Sequence, residues 1–363
     1  MTSNVKHKRR IGHILEAVAV TAVLVLIMTS RTDAARLQPE HDYGAARDNT
    51  RLGRMLDQMD HLYDTYEKKD DGPKNPPTFN TVSILDTDIL DTDDIVAIQR
   101  YAFYSNAYGV AACVAGGDEI VRGVLNSIGS NLPVGSSQSA TGYTPFWELY
   151  RLTQNTAAAE GEFNGEEGYY YDYSYMEATG SVNSIPALEM YKSALRSNKV
   201  DIITIGYLNN LYDLLNDPEG RELAQRNLNA VYITGGSLKG LGDNNFNSSG
   251  DLLAKSIFVT DTLRQMGIYT VYITGDLGGV INTGPFDSLS RQAFATLSRD
   301  TTPSWDIFTV WVYRNRMSNP HVTLVRSSLY IQPSGANQFI DGAENESFRV
   351  VKVSADNVIQ GLL

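Results

Sequence analysis

Cysteine is nearly absent from this chain, with Cys113 the only one in 363 residues. A disulfide within the chain is therefore impossible, which weakly opposes an extracellular setting without excluding it. Histidine is scarce as well. His7, His13, His41, His61 and His321 are scattered and Cys113 stands alone, so the nitrogen and sulfur ligand set that zinc requires has no source. Clusters of lysine and arginine are missing after residue 11, and 42 acidic against 30 basic residues leave a net charge of −12. A nucleic-acid backbone depends on such clusters, so small ligands and cations are the expected partners and nucleic acid is not. No internal repeat is visible. Glycine and proline are at ordinary levels and 42% of the residues are hydrophobic, enough for one large or two small domains with a real core.

One long apolar run is present, "ILEAVAVTAVLVLIM" at residues 14–28. Lys6, His7, Lys8, Arg9 and Arg10 precede it, and "TSRTDAARL" follows. Basic, then apolar, then small residues is the order of a secretory signal peptide, with Ala34 at the cleavage position. An uncleaved signal anchor is the alternative, although the run is somewhat short of the roughly 20 residues that span a bilayer. A buried or membrane-surface helix is the third reading. The expected organisation is a signal peptide or anchor at 1–35, a polar linker at 36–78 and a folded domain at 79–363. The folded domain would be secreted, or held outside the cytoplasm by a single membrane pass through 14–28. The linker ends in "EKKDDGPKNPPTFN" and has room for one short helix at 49–68.

Past the linker, short β-rich apolar runs at 81–85, 109–116, 200–206, 230–236 and 269–276 alternate with helical patterns such as "TDDIVAIQRYAFYS" and "IPALEMYKSALRSN". This alternation predicts an α/β fold, a mostly parallel open sheet with helices on both faces, and strands apolar on both sides agree with it. Ligands in such sheets bind beyond the carboxyl ends of the strands. Polar clusters fall there after 81–85, and as "GYLNN", "GGSLKGLGDNNFN" and "GDLGG" after three later strands, so four strand ends should build one rim. "GYYYDYSYMEATG", 168–180, reads as a surface loop whose tyrosines line an entrance or pack.

The densest of these clusters is "SILDTDILDTDDIVAIQ", 83–99, which sets Asp86, Asp88, Asp91, Asp93 and Asp94 between two apolar runs. Two like charges about 4 Å apart repel by roughly 4 kcal/mol at an effective dielectric near 20, and an unpaired buried carboxylate costs several kcal/mol more. Hard oxygen ligands on a strand-to-helix turn suit Ca²⁺ or Mg²⁺. An EF-hand loop is excluded, because Leu90 holds the third ligand position and no glycine follows. The bland alternative is a solvated acidic turn or helix N-cap cluster.

The same stretch resembles the opening signature of inosine-uridine preferring nucleoside hydrolases, a strand followed by D-x-D, a short turn and D-D-A-x-A-I on a helix, here with one extra turn residue. "DIITIGYLNNLYDLLND" is similar to that family's strand with G-x-L-T-N-L, "LNAVYITGGSL" to V-V-x-M-G-G, "NNFNSSGDLLAKSIF" to E-F-N-x-x-x-D-P-x-A-A, "SWDIFTVWV" to the late H-D-x-x-A-V, and "LPVGSSQS" to V-P-V-x-x-G. The matches are in order and span 82–312. The resemblance implies a Ca²⁺ ion held by Asp88, Asp94, Asp306 and the backbone carbonyl of Asn209, with Asp86 supporting these ligands. It implies that Asp93, Asn247, the Asn245 position and Asp306 serve the ribose, and that Asp88 is the general base for water attacking the anomeric carbon of a nucleoside. A homo-oligomer is implied too.

Three positions depart from the family pattern. Asn245 stands where the family has Glu, Gly117 where it has Asn, and Trp305 where it has His before the late Asp. That His serves some members at the leaving base. These departures favour a second class of function, a catalytically impaired member that binds a ligand or partner, beside the hydrolase and beside a hydrolase of other ribosides. Residue by residue, simpler readings exist: Asp306 as a helix N-terminal carboxylate, Asn209 and Asn210 as helix caps, Phe246 and Trp305 as packing groups. Asn247 and Asn345 also begin glycosylation sequons. "GGSLKGLG" lacks the G-K-[ST] ending of a phosphate cradle.

Overall fold

The computed structural model describes residues 77–78, 80–90, 92–141, 184–238, 244–247, 250–278, 282–286, 288–296, 301–315, 322–342 and 347–353, all within the unit His61–Leu363. The signal or anchor at 1–35, the helix at 49–68, the tyrosines of 168–180, Asp91, His321 and Asn345 lie outside these residues. Among the described residues no helix is long and apolar enough to cross a membrane.

In chain order the elements are β1 (Val82–Thr87), α1 (Thr92–Tyr101), β2 (Ala107–Val114), α2 (Gly117–Ser127), β3 (Val134–Thr141), β4 (Ile185–Pro186), α3 (Ala187–Ser197), β5 (Val200–Thr204), α4 (Asn209–Asn216), α5 (Pro218–Asn227) and β6 (Leu228–Thr234). They continue with α6 (Asn244–Asn247), α7 (Gly250–Met266), β7 (Tyr269–Ile273), α8 (Gly275–Gly278), β8 (Asn282–Thr283), α9 (Ser288–Thr296), β9 (Thr302–Pro303), α10 (Trp305–Asn315), β10 (Val322–Ile331), β11 (Asn337–Asp341) and β12 (Ser347–Val353).

Among the described residues the main sheet has ten strands in the order β11-β10-β12-β7-β6-β5-β1-β2-β3-β4. From β4 through β7 every pairing is parallel, as is that of β12 with β7, while β10 runs antiparallel to β11 and β12. The expected α/β class is what forms. The strands carry the pattern that demands it: Ile84 and Leu85, Ile202 and Ile203, and Val231 and Tyr232 send successive side chains to opposite faces. Each face is roofed by helices, α1, α2, α9 and α10 on one and α3, α4, α5 and α7 on the other. Ile84 and Leu85 are fully buried, and burying a side chain of that size stabilises by about 2 kcal/mol.

The strands at β3 and β10 to β12 were not among those expected. "VGSSQSAT" in β3 has little apolar character, and β10 interrupts its apolar residues with Arg326, Ser327 and Ser328, all buried. In β12, Arg349 is 1% exposed and pairs with Asp341 of β11 at 2.7 Å. Tertiary pairing supplies here what local pattern does not advertise.

β1 lies mid-sheet. The chain winds outward from it through β2, β3 and β4, then returns to its other side as β5, β6 and β7. The reversal makes the β1–β5 boundary a topological switch point, where open α/β sheets open a crevice at their carboxyl ends. At the opposite end, buried Asp201 of β5 accepts from Thr81 Oγ1 at 2.6 Å, Asn229 Nδ2 at 2.7 Å and Tyr313 Oη at 3.1 Å. Tyr313 also accepts from Asn106 at 2.7 Å, just before β2, so it ties α10 to β5 and to the entry of β2. Tyr313→Phe is expected to lower stability by about 1–2 kcal/mol, read as a lower midpoint with unchanged slope in urea denaturation.

Candidate active site

The acidic run occupies the turn from β1 into α1, at the switch point. It is no solvated turn: Asp86 is 0% exposed, Asp88 7%, Asp93 0% and Asp94 1%. The turn is wound tightly by its own side chains. Thr87 Oγ1 donates to Asp94 Oδ1, the Ile89 N–H donates to Thr87 Oγ1 at 3.1 Å, and the Leu90 N–H is shared between Asp94 Oδ2 at 3.0 Å and Asp88 Oδ1 at 3.3 Å. Asp88 and Asp94 are thus drawn to one donor. Ile89 is held at φ 49° while fully buried, a conformation a β-branched residue rarely adopts and which marks strain retained at a site. Asp93 and Asp94 open α1, where the helix dipole favours negative charge.

Asp306, in the first turn of α10, joins the run across 213 residues: its N–H donates to Asp93 Oδ2 at 2.9 Å. The late motif and the opening motif therefore meet. Asp306 itself is 6% exposed.

Asp86, fully buried, accepts from Tyr191 Oη of α3 and from Asn210 Nδ2 of α4, the latter at 3.1 Å. Burial lifts its carboxyl to about 7, against the lowering pull of these two donors. The nearby Cys113 thiol is pushed well above its usual value, by burial first and then by the charges of Asp86, Asp88 and Asp94. Gly206, just past β5, lets the backbones meet. A Cβ there would stand 2.4 Å from Asp88 N, 2.8 Å from Cys113 Sγ and 2.9 Å from Asp88 Cβ, so no larger residue fits without displacing Asp88.

Asn209 and Asn210 do not cap α4; Leu208 is its N-cap residue and no side chain caps it. Asn210 Nδ2 instead donates to Ala112 O at 3.2 Å as well as to Asp86, and Asn209 Nδ2 donates to Cys113 O and Ser137 Oγ, both at 2.9 Å. The start of α4 is pinned across the ends of β1, β2 and β3. On the far side of the rim, Asn245 Nδ2 donates to Thr234 O at 3.0 Å and Trp305 Nε1 to Gly275 O at 3.1 Å. Phe246 is fully buried against Gly235. Packing, not stacking on a ligand, is the role of Phe246, and Trp305 spends its one donor on α8. The backbone of Asn247 lies in α6; its side chain is outside what is described. Gly117 opens α2, where a Cβ would meet Val114, Ala112 and Ile89, so an Asn there would have to displace core side chains.

The donors fit a hard cation in kind, since all are oxygens. Several buried side-chain oxygens at this rim find no hydrogen-bond partner among the described residues: Thr92 Oγ1, Asn209 Oδ1, Asn210 Oδ1, Thr274 Oγ1 and Ser304 Oγ. Each such group costs about 1–3 kcal/mol until a ligand, ion or water engages it. Among the described residues, however, no three His, Cys, Asp or Glu side chains are gathered closely enough to hold a metal ion. The carboxylates of Asp88 and Asp94 meet at Leu90 N, and the carboxylate of Asp93 accepts from the backbone N–H of Asp306. Sequence reasoning missed Tyr191, Ser137 and Gly206. Tyr191 sits on the apolar stripe of α3 and signals nothing locally; only the fold brings it to Asp86.

No protein-family model matches the sequence, and no curated protein matches it. Solved structures do. A plant nucleoside hydrolase superposes with TM-score 0.55 at 13% identity, covering 78% of this chain and 98% of its own. The inosine-uridine preferring nucleoside hydrolase of Bacillus anthracis gives TM-score 0.52 at 14% identity, covering 78% and 97%. An inosine-guanosine nucleoside hydrolase gives 0.53 at 12% identity, covering 77% and 97%. The fold is nucleoside-hydrolase-like; likeness at this identity establishes the fold alone.

Proposed function

We propose that this chain hydrolyses the N-glycosidic bond of ribonucleosides with the help of Ca²⁺, releasing base and ribose. The observation that carries the reading is the burial of Asp86, Asp88, Asp93, Asp94 and Asp306 at one switch point, in a nucleoside-hydrolase-like fold. The donors that hold Asp86 are a phenol and an amide, neutral groups that orient a carboxylate without offsetting its charge. A divalent cation would offset it.

Asp88, Asp94, Asp306 and Asn209 would hold the ion. When bound, Ca²⁺ supplies charge that acidifies a water and grips a sugar diol. The chain's own residues do the rest. Asp93, fixed by the Asp306 N–H, orients ribose hydroxyls, with Asn245 and Asn247 contributing from α6. Asp88 takes the proton of the attacking water on a carboxylate oxygen as the anomeric carbon acquires oxocarbenium character. Its position is fixed by the Leu90 N–H and by the close approach of Gly206, the preorganisation such a proton transfer needs.

A second reading, a protein that keeps the ion and the ligand but not the turnover, draws on Trp305. Where the family has His, this indole donates to Gly275 O and has no second nitrogen to protonate a leaving base. Incubating the purified chain with inosine, uridine, adenosine and nicotinamide riboside separates the two. Ribose release that EDTA abolishes and added Ca²⁺ restores is the expected result; Ca²⁺-dependent thermal stabilisation with no release from any nucleoside would establish the second.

A further inference from the structure

Ser304 stands where a helix cap should. Its carbonyl accepts the first helical bond of α10, from the Phe308 N–H at 3.0 Å, which makes it the N-cap residue. Serine is among the types preferred there, because its hydroxyl accepts the N–H two or three residues on. Here it does not. The N–H two residues on belongs to Asp306 and donates at 2.9 Å to Asp93 Oδ2, 213 residues away in the first turn of α1. Ser304 Oγ, fully buried, finds no partner among the described residues.

A carboxylate that displaces a correctly placed serine gains from two helices at once. Asp93 lies in the first turn of α1 and reaches the first turn of α10, where each dipole favours negative charge, and its charge-assisted bond is stronger than the neutral one Ser304 would make. The consequence is geometric. The start of α10 is held against α8 by Trp305 Nε1 on Gly275 O at 3.1 Å, and against β6 by the Thr234 hydroxyl on Thr309 Oγ1 at 2.6 Å. The Asp93 bond holds it against α1, and does so at the main chain of Asp306 itself.

We infer that Asp93 caps α10 in place of Ser304 and is thereby the positioning residue for Asp306; its part in turnover rests on the hydrolase reading above.

Ser304 reports the cap. In urea denaturation of the full chain, Ser304→Ala should leave the folding equilibrium within about twofold or raise it, since an idle buried hydroxyl contributes nothing. In the Asp93→Ala background the released Asp306 N–H falls to Ser304, so the same serine substitution should cost about fivefold, the usual worth of a cap. Comparing backgrounds removes the effect of losing one carboxylate from an acidic group. A fivefold loss from Ser304→Ala in the wild type, or equal effects in both backgrounds, would overturn the cap assignment. The wild-type arm decides even if Asp93→Ala does not fold.

Turnover reports the positioning. Asp93→Asn keeps an oxygen that can accept the Asp306 N–H and Asp93→Ala does not, so the Asn variant should retain at least about tenfold more kcat/KM. Asp93→Ala should also add little to the loss caused by Asp306→Ala. Equal losses for the two Asp93 variants, or losses at 93 and 306 that add in full, would overturn the positioning role. A wild type that releases no ribose overturns the hydrolase reading, and the serine comparison still decides the cap.

Discussion

Asp88→Asn is expected to lower nucleoside turnover by about a thousandfold, the usual range for removing a positioned general base, with folding preserved. The side chain keeps its volume and its oxygen can still accept the Leu90 N–H, so the turn into α1 has no reason to unwind. What disappears is the proton acceptor and one unit of negative charge. Because Asp88 is assigned to the ion as well, Ca²⁺ binding should weaken in parallel, and the two losses are separated by raising Ca²⁺ to saturation. A kcat that stays low at saturation identifies proton transfer as the lost step. Full recovery at high Ca²⁺ would leave Asp88 a ligand only and move the base elsewhere.

The second large effect is mechanical. Gly206→Ala places a methyl 2.4 Å from Asp88 N and 2.9 Å from Asp88 Cβ, distances at which backbone must move. Overpacking of this kind costs about 1–3 kcal/mol, and here the displaced atom belongs to the proposed base. Stability, read by chemical denaturation, should fall by that amount, and turnover should fall by more than the lost stability explains, since small misplacements of a reacting group are costly. An alanine variant with wild-type activity would mean that the junction of β1 and β5 is not where catalysis is set.

The sequence announced the frame well where chemistry and period coincide. Runs such as "SILD", "DIITIG" and "AVYITGG" are apolar on both faces because both faces of β1, β5 and β6 are roofed, and four of the expected strand ends do lie side by side in the order β7-β6-β5-β1. Their limits differ by a few residues, β2 beginning at Ala107 and ending at Val114. The C-terminal strands escaped notice because buried Arg326 and Arg349 read as surface residues until Asp341 and the ring of Phe348 are placed beside them.

At the rim, the acidic run was legible because burying so much like charge has few other uses. What the chain could not tell was who stands next to it. The Asp93 contact to Asp306 spans 213 residues, and Tyr191 reaches Asp86 from 105 residues away. The two asparagines show the limit from the other side. "LNN" before a helix looks like a cap, yet both amides turn to carbonyls of β2, because the sheet order sets those carbonyls beneath α4.

Carboxylates from the turn after β1, from α1 and from α10 are proposed to hold a divalent cation that in turn holds a sugar. Anomalous diffraction from crystals soaked in Mn²⁺, an ion of similar oxygen preference, tests it most directly. One strong peak bonded to Asp88, Asp94 and Asp306, displaced by excess Ca²⁺, is expected. A crevice with no peak, or a peak held by other side chains, would contradict it.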